Sequence, residues 1–296
     1  MPTENLFKAL VREDDNGQWA FGTGFTDGLA RVDRGVPEGV DRADLAEYCL
    51  MLGDDALIYA QRLSEWCSKA PEIEEDIALA NIALDLLGHA RVLLARVAEV
   101  REEGDEDALA YWRDAPQFRN VRLAELDLGP GPGGDFAATM ARLLLFSSWR
   151  LAIFTRLAGS RDRLLAALAA KGAKEITYHR DHATQWVIRL GAGTSYSRAR
   201  MTAGLDAVWP YAEELFAPHP VETRLAAQGV AVDPATVRTE VLGVLTEVLA
   251  HAELPPPAFV PDGEPHPGRD GEHTEELGPL LDEMQSLVRA MPGATW

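Results

Sequence analysis

From Asp41 onward, apolar residues recur at three- and four-residue steps. Leu45, Tyr48, Cys49, Leu52, Ala56, Tyr59, Leu63 and Trp66 therefore share one face of a helix. Ala70-Pro71 breaks that helix and opens the next, because proline fits a first turn but not a helix interior. The second segment, about Glu72 to Val100, is apolar on two opposite faces. One face carries Ile73, Ile77, Ala80, Leu84, Leu87 and Leu94; the other carries Leu79, Ile82, Leu86, His89 and Leu93. Such a helix is expected to be central, buried on both sides.

After a turn at Gly104–Asp107 and an irregular stretch from Trp112 to Asp127, the Gly-Pro run 129–134 reads as a loop. Asp135 suits an N-cap for a third long helix, with Phe136, Met140, Leu143, Leu144, Trp149, Ile153 and Leu157 on its core face. A fourth extends from about Arg161 to Leu190. Shorter helices are expected at 197–216, kinked at Pro210, and at 234–251 and 275–290. The six prolines between Leu254 and Gly268 mark a strap. No strand pattern competes. The pattern predicts an all-α fold: a ferritin-like long helical bundle with a crossover between the second and third core helices and additional C-terminal helices. It divides the chain into an N-terminal extension, 1–40, partly ordered at best, and one helical domain, 41–296, with a four-helix core at about 42–190.

Charge narrows the functions. With 47 acidic and 28 basic residues the chain carries a formal charge of −19, which argues against nucleic acid or an anionic membrane as partner. No uncharged apolar run approaches the roughly 18 residues of a membrane span. Cys49 and Cys67, read as lying on one helix about 27 Å apart, are expected to be free thiols, as in a reducing cytoplasm.

A bundle interior is where a carboxylate-bridged two-metal site would be built, from a Glu on each of two helices and a Glu-x-x-His pair on each of the others. The second helix offers Asp85 and His89, the fourth Glu175, His179 and His182. In both, the position three before the histidine is apolar, at Leu86 and Ile176. The histidines are read as hydrogen-bonded core residues. Asp55 is read with them as an ion pair or cap contact to Arg62, Arg91 or a histidine; a shifted or adventitious metal set of Asp55, Asp85, His89, Glu175 and His179 is the alternative. The segment Arg113–Arg122 has three arginines in an acidic chain. Gln117, Phe118, Arg119 and Asn120 suit a nucleotide-bearing ligand; the alternative is a loop pinned by its own salt bridges around one buried Phe. Trp66, Trp112, Trp149, Trp186 and Trp209 are read as packing residues, any exposed one being a candidate interface anchor.

The runs Leu52-Gly53-Asp54-Asp55, Gln61-Arg62-Leu63-Ser64-Glu65-Trp66-Cys67 and Leu79-Ala80-Asn81-Ile82-Ala83-Leu84-Asp85-Leu86-Leu87-Gly88 carry a resemblance. So do Phe154-Thr155-Arg156-Leu157, Lys174-Glu175, Tyr178-His179 and His273-Thr274-Glu275-Glu276-Leu277-Gly278-Pro279. Over about residues 45–296 the chain resembles the C-subunit family of the phenylacetyl-CoA ring-1,2-epoxidases, bacterial multicomponent monooxygenases. The resemblance implies a ferritin-like subunit without its own active site or cofactor, paired with a homologous catalytic subunit that bears the di-iron centre. It further implies that Gln117, Phe118, Arg119 and Asn120 help hold the CoA part of the substrate at the interface. Relative to that catalytic homologue, carboxylate positions fall on Ala56, Leu86, Ser147 and Ile176, while His89 and His179 remain. The competing readings are an autonomous di-metal carboxylate oxidase with a shifted ligand set and a helical adaptor unrelated to acyl-CoA chemistry.

Overall fold

The computed structural model describes residues 29, 31–131, 135–257 and 267–294. It divides into residues 1–32 and 33–296. In the first part the description covers Leu29, Arg31 and Val32, which form a turn closed by the Val32 amide on the Leu29 carbonyl. The rest of the expected 1–40 extension up to residue 32 lies outside the described residues. Within the second part, residues 33–40 are held by side chains of the bundle: Arg96 donates to the Arg34 carbonyl and Arg161 to the Glu38 carbonyl.

Among the described residues, the second part has ten α-helices, short 3-10 turns and no strand. Four long helices form the core: α1 Arg42–Ser64, α2 Ile73–Arg101, α5 Phe136–Leu157 and α6 Arg163–Gly191. Between α2 and α5 the crossover carries α3 Glu106–Tyr111 and α4 Arg122–Glu125. Beyond the core follow α7 Ser195–Val208, α8 Pro220–Ala227, α9 Arg238–His251 and α10 Leu277–Ala290. The starts of α1, α3, α5 and α6 are fixed by Asp41, Asp105, Asp135 and Asp162, whose carboxylates accept first-turn amides that have no intrahelical partner.

α1 packs antiparallel on α2 and α5 on α6. Leu52 and Tyr59 of α1, and Trp66 in the turn after it, meet Arg150, Phe146 and Thr139 of α5 in descending order, so these helices also run antiparallel. The resulting up-down-down-up order with one long crossover is the ferritin-like arrangement. Where α7 crosses α5, a Cβ on Gly204 would stand 2.7 Å from the Ala138 Cα, so only glycine allows this approach.

Several expectations change. The first helix ends at Ser64, well before Pro71, and Cys67 falls in the following turn. Both cysteines are free, Cys49 buried and Cys67 exposed. The 197–216 helix stops at Val208 and continues as two 3-10 turns, the first holding Pro210. α3, which begins inside the expected 104–107 turn, α4 and α8 are helices that the periodicity does not predict, being short. Part of the Gly-Pro run and of the proline strap lies outside the described residues.

The largest correction concerns which helix is central. α1 is buried on all sides, whereas α2 leaves Ile73, Ile77, Leu84 and Leu87 46–67% exposed. Hydropathy misassigned them because α1 buries Asp54, Asp55 and Arg62 in polar contacts that tertiary partners supply. α2 and α5 are long and apolar enough to cross a membrane by length and composition; 89% of the α5 window is buried inside the bundle, against 50% for α2.

Candidate functional site

α2 and α6 cross with reciprocal registers. Four residues separate Asp85 from His89 and Glu175 from His179, so each pair occupies one side of its helix. The antiparallel packing then sets each histidine against the other helix's acid. His89 Nε2 lies 2.8 Å from Glu175 Oε2, and His179 Nε2 lies 3.0 Å from Asp85 Oδ2. Further along, His182 Nε2 stands 3.0 Å from Glu75 Oε2. Three histidine–carboxylate pairs thus bridge α2 and α6, with Asp85, His89, Glu175 and His179 paired across the two helices, an arrangement that the spacing within each helix does not by itself specify.

Room for His89 comes from Gly172, where a Cβ would be 2.8 Å from His89 Nε2 and 2.9 Å from Phe154. Burial pushes the His89 imidazole below its ordinary range more than its bond to Glu175 raises it, and the Arg150 guanidinium adds to the depression. Burial pushes Glu175 upward, but the hydrogen bonds and charges of His89 and Lys171 outweigh it and hold the carboxyl low. The pair is therefore a neutral imidazole donating from Nε2 to a carboxylate.

The side chains at the expected ligand positions do not fit a two-metal centre. Ala56, Leu86, Ser147 and Ile176 are all buried, and the Ser147 hydroxyl donates to the Leu143 carbonyl inside its own helix. Nearby acids are engaged by histidines of the opposite helix. His89 Nδ1 is buried without a hydrogen-bond partner, but one imidazole nitrogen cannot neutralise two hard cations that carboxylates ordinarily bridge. Arg150 adds a positive charge to the same interior: it is 1% exposed, its guanidinium 4.5 Å from the Phe154 ring centre, and burial lowers its pKa to about 10. Among the described residues, no group of three or more His, Cys, Asp or Glu side chains is arranged to hold a metal ion.

Asp55 belongs elsewhere. Its carboxylate is fully buried and takes two 2.8 Å bonds from Arg269, in the C-terminal segment, plus the Val121 amide. Arg62, Arg91 and the histidines, the partners expected from sequence, are not used. Asp54 likewise accepts both Nη atoms of Arg113 and the Arg119 amide. Glu125 is buried between His273, at 2.8 Å, and Asn120. Adjacent aspartates inside an apolar α1 signalled buried acids needing partners. Their partners, 59 to 214 residues distant, left no local trace.

The arginine-rich crossover is held largely by its own contacts. Phe118 is fully buried, with the Arg113 guanidinium 4.1 Å from its ring centre. Asn120 is also fully buried, donating to Glu125 and the Val121 carbonyl. Gln117 is exposed and caps the turn by accepting the Asp114 amide. Arg119 is half-buried, reaching Glu47 and the Pro116 and Phe118 carbonyls. Of the tryptophans read as packing residues, Trp66, Trp149 and Trp209 are buried, Trp186 is partly covered, and Trp112 is half exposed.

Comparison with known proteins accords with this arrangement. Residues 33–296 match the family described as phenylacetic acid catabolic protein. The chain is 45% identical over 256 residues to the C subunit of the 1,2-phenylacetyl-CoA epoxidase of Escherichia coli (strain K12), covering 85% of this chain and 99% of that one. With a match over nine-tenths of its residues and 45% identity across nearly the whole length of that relative, the chain is a member of the phenylacetic acid catabolic protein family.

Proposed function

We propose that this chain is a non-catalytic structural subunit of a multicomponent, cytoplasmic phenylacetyl-CoA epoxidase. It pairs with a homologous ferritin-like subunit that holds the di-iron centre, and itself carries neither active site nor cofactor. The similarity to the C subunit of such an epoxidase supports the setting. One observation carries the division of labour: Leu86 and Ile176 fill the positions where Glu-x-x-His acids would stand, while the remaining acids bond histidines of the opposite helix. An unpaired buried carboxylate costs several kcal/mol, whereas a buried Leu or Ile contributes about 1.5–3 kcal/mol. A bundle relieved of metal is more stable with its interior closed this way.

For the substrate, the reading assigns the CoA contact to the exposed side of the 117–120 turn. Gln117 and Arg119 would reach the ligand, while Phe118 and Asn120 shape the turn from within. The test is co-expression with a ferritin-like chain carrying intact Glu-x-x-His motifs, followed by iron quantification of each species and O₂ consumption with phenylacetyl-CoA. Iron and activity are expected to follow the partner. Two irons per chain in this protein alone, with O₂ consumption, would establish the autonomous oxidase instead.

A further inference from the structure

The outward face of α2 carries Ile73, Ile77, Ala80, Leu84 and Leu87, at steps of four, three, four and three. Four of these are large and substantially exposed: Ile73 67%, Ile77 56%, Leu84 63% and Leu87 46%. Scattered apolar residues on a surface are ordinary, but a continuous stripe about 21 Å long on one helix is not. The alternation of threes and fours averages 3.5 residues, the repeat that keeps a seam facing an aligned helix along its length.

The same face shows what covers it. At its C-terminal end, the next seam position but one is Leu94, which is buried with its side chain against Gly53 of α1, and Ala110 and Tyr111 of α3 share a cleft with it. Arg91 pairs with Glu106 of α3. Between the covered and uncovered stretches lies a cleft of about 300 Å³, lined by Leu57, Leu87, Ala90, Leu94, Ala110 and Tyr111 together with the charged Arg91, Glu106 and Asp107. Its size suits one large apolar side chain.

Charge identifies the kind of chain that would lie here. Glu72, Glu74 and Asp76 flank the N-terminal end of the stripe, and Glu106 and Asp107 border the cleft at the other. A second copy aligned in parallel would set each acidic end on its equal. Antiparallel, it would set Glu72, Glu74 and Asp76 against Glu106 and Asp107. Both arrangements place acid on acid in a chain of charge −19, and an anionic membrane meets the same repulsion.

We infer that the α2 stripe and its cleft are the docking surface for an α-helix of a different subunit, one that presents apolar residues at 3-4 spacing, a bulky anchor for the cleft and basic residues at the flanks. This rests on the reading of the chain as one subunit of an epoxidase assembly, and names the surface that reading leaves open.

The experiment uses the full-length chain and the tagged ferritin-like chain with intact Glu-x-x-His motifs as the probe. Leu84→Glu and Leu87→Glu together, at positions already exposed, are expected to leave circular dichroism and thermal unfolding near wild type. They should weaken association roughly 30-fold or more, the effect of losing a central interface anchor. Complex formation should also slow amide exchange on α2 and α3. A complex that forms with unchanged affinity in the double variant, or that protects other helices, overturns the surface while sparing the proposed function. No complex with the wild-type chain overturns the proposed function itself. Self-association of wild type that the double variant abolishes, or flotation with anionic phosphatidylglycerol vesicles, assigns the stripe to another occupant and overturns the inference.

Discussion

At Asp55 a single carboxylate holds three parts of the chain together: α1, the crossover at Val121 and the C-terminal segment at Arg269. All of it is buried, so removing one charge leaves its partner unpaired in a low dielectric. Asp55→Asn is expected to destabilise the protein by about 3–5 kcal/mol, read as a lower urea midpoint with an unchanged slope. An unshifted midpoint would mean that Arg269 finds another partner. The glycines separate packing from propensity. Gly172→Ala drives a methyl into His89 and Phe154, an overpacking cost of about 1–3 kcal/mol that exceeds the helix-propensity gain of about 1 kcal/mol. Gly88→Ala meets nothing within 4 Å and is expected to stabilise the fold by about 0.5–1 kcal/mol. Thermal unfolding of the two variants should therefore move in opposite directions. Some of this was legible beforehand, since two adjacent acids on an apolar helix demand partners. Which arginine answers was not, because Arg269 is 214 positions away.

At the scale of elements, the α2–α6 contact depends on protonation. Burial holds His89 and His182 below their ordinary 6.5. Between that value and the native one, the unfolded chain binds protons that the folded chain does not, so their contribution to stability falls as pH drops below about 6.5. Glu175, held below its ordinary 4.5, adds a further loss at lower pH. Burial raises Glu214 and Glu222, and their contribution runs the other way, declining as pH rises above 4.5. The informative measurement is thus a comparison. Urea unfolding from pH 7.5 to 5.5 should show a less acid-sensitive stability in His89→Gln than in wild type, and equal slopes would exclude His89 as a source. The four-residue spacing of Asp85 with His89 and of Glu175 with His179 was visible along the chain. Their reciprocal pairing was not, because it depends on the antiparallel register of α2 on α6.

Over the whole molecule, a charge of −19 makes the folded state repel itself. Raising ionic strength from about 0.01 M to about 0.15 M shortens the screening length from about 30 Å to about 8 Å. The unfolding temperature is expected to rise over that range, and differential scanning calorimetry would detect a fall instead if exposed ion pairs such as Arg224–Asp44 outweighed the repulsion. Four long helices, the crossover after the second and the absence of acids at Leu86 and Ile176 are all readable along the chain. Periodicity and capping act over a few residues, and a missing carboxylate is a fact of composition. It takes the packed bundle to make α1 rather than α2 central, to bring Asp54 and Asp55 against arginines from the crossover and the C-terminal segment, and to leave one apolar face of α2 exposed. Burial is a property of what lies across the contact, and two equally apolar faces of one helix read alike until the neighbours of each are known.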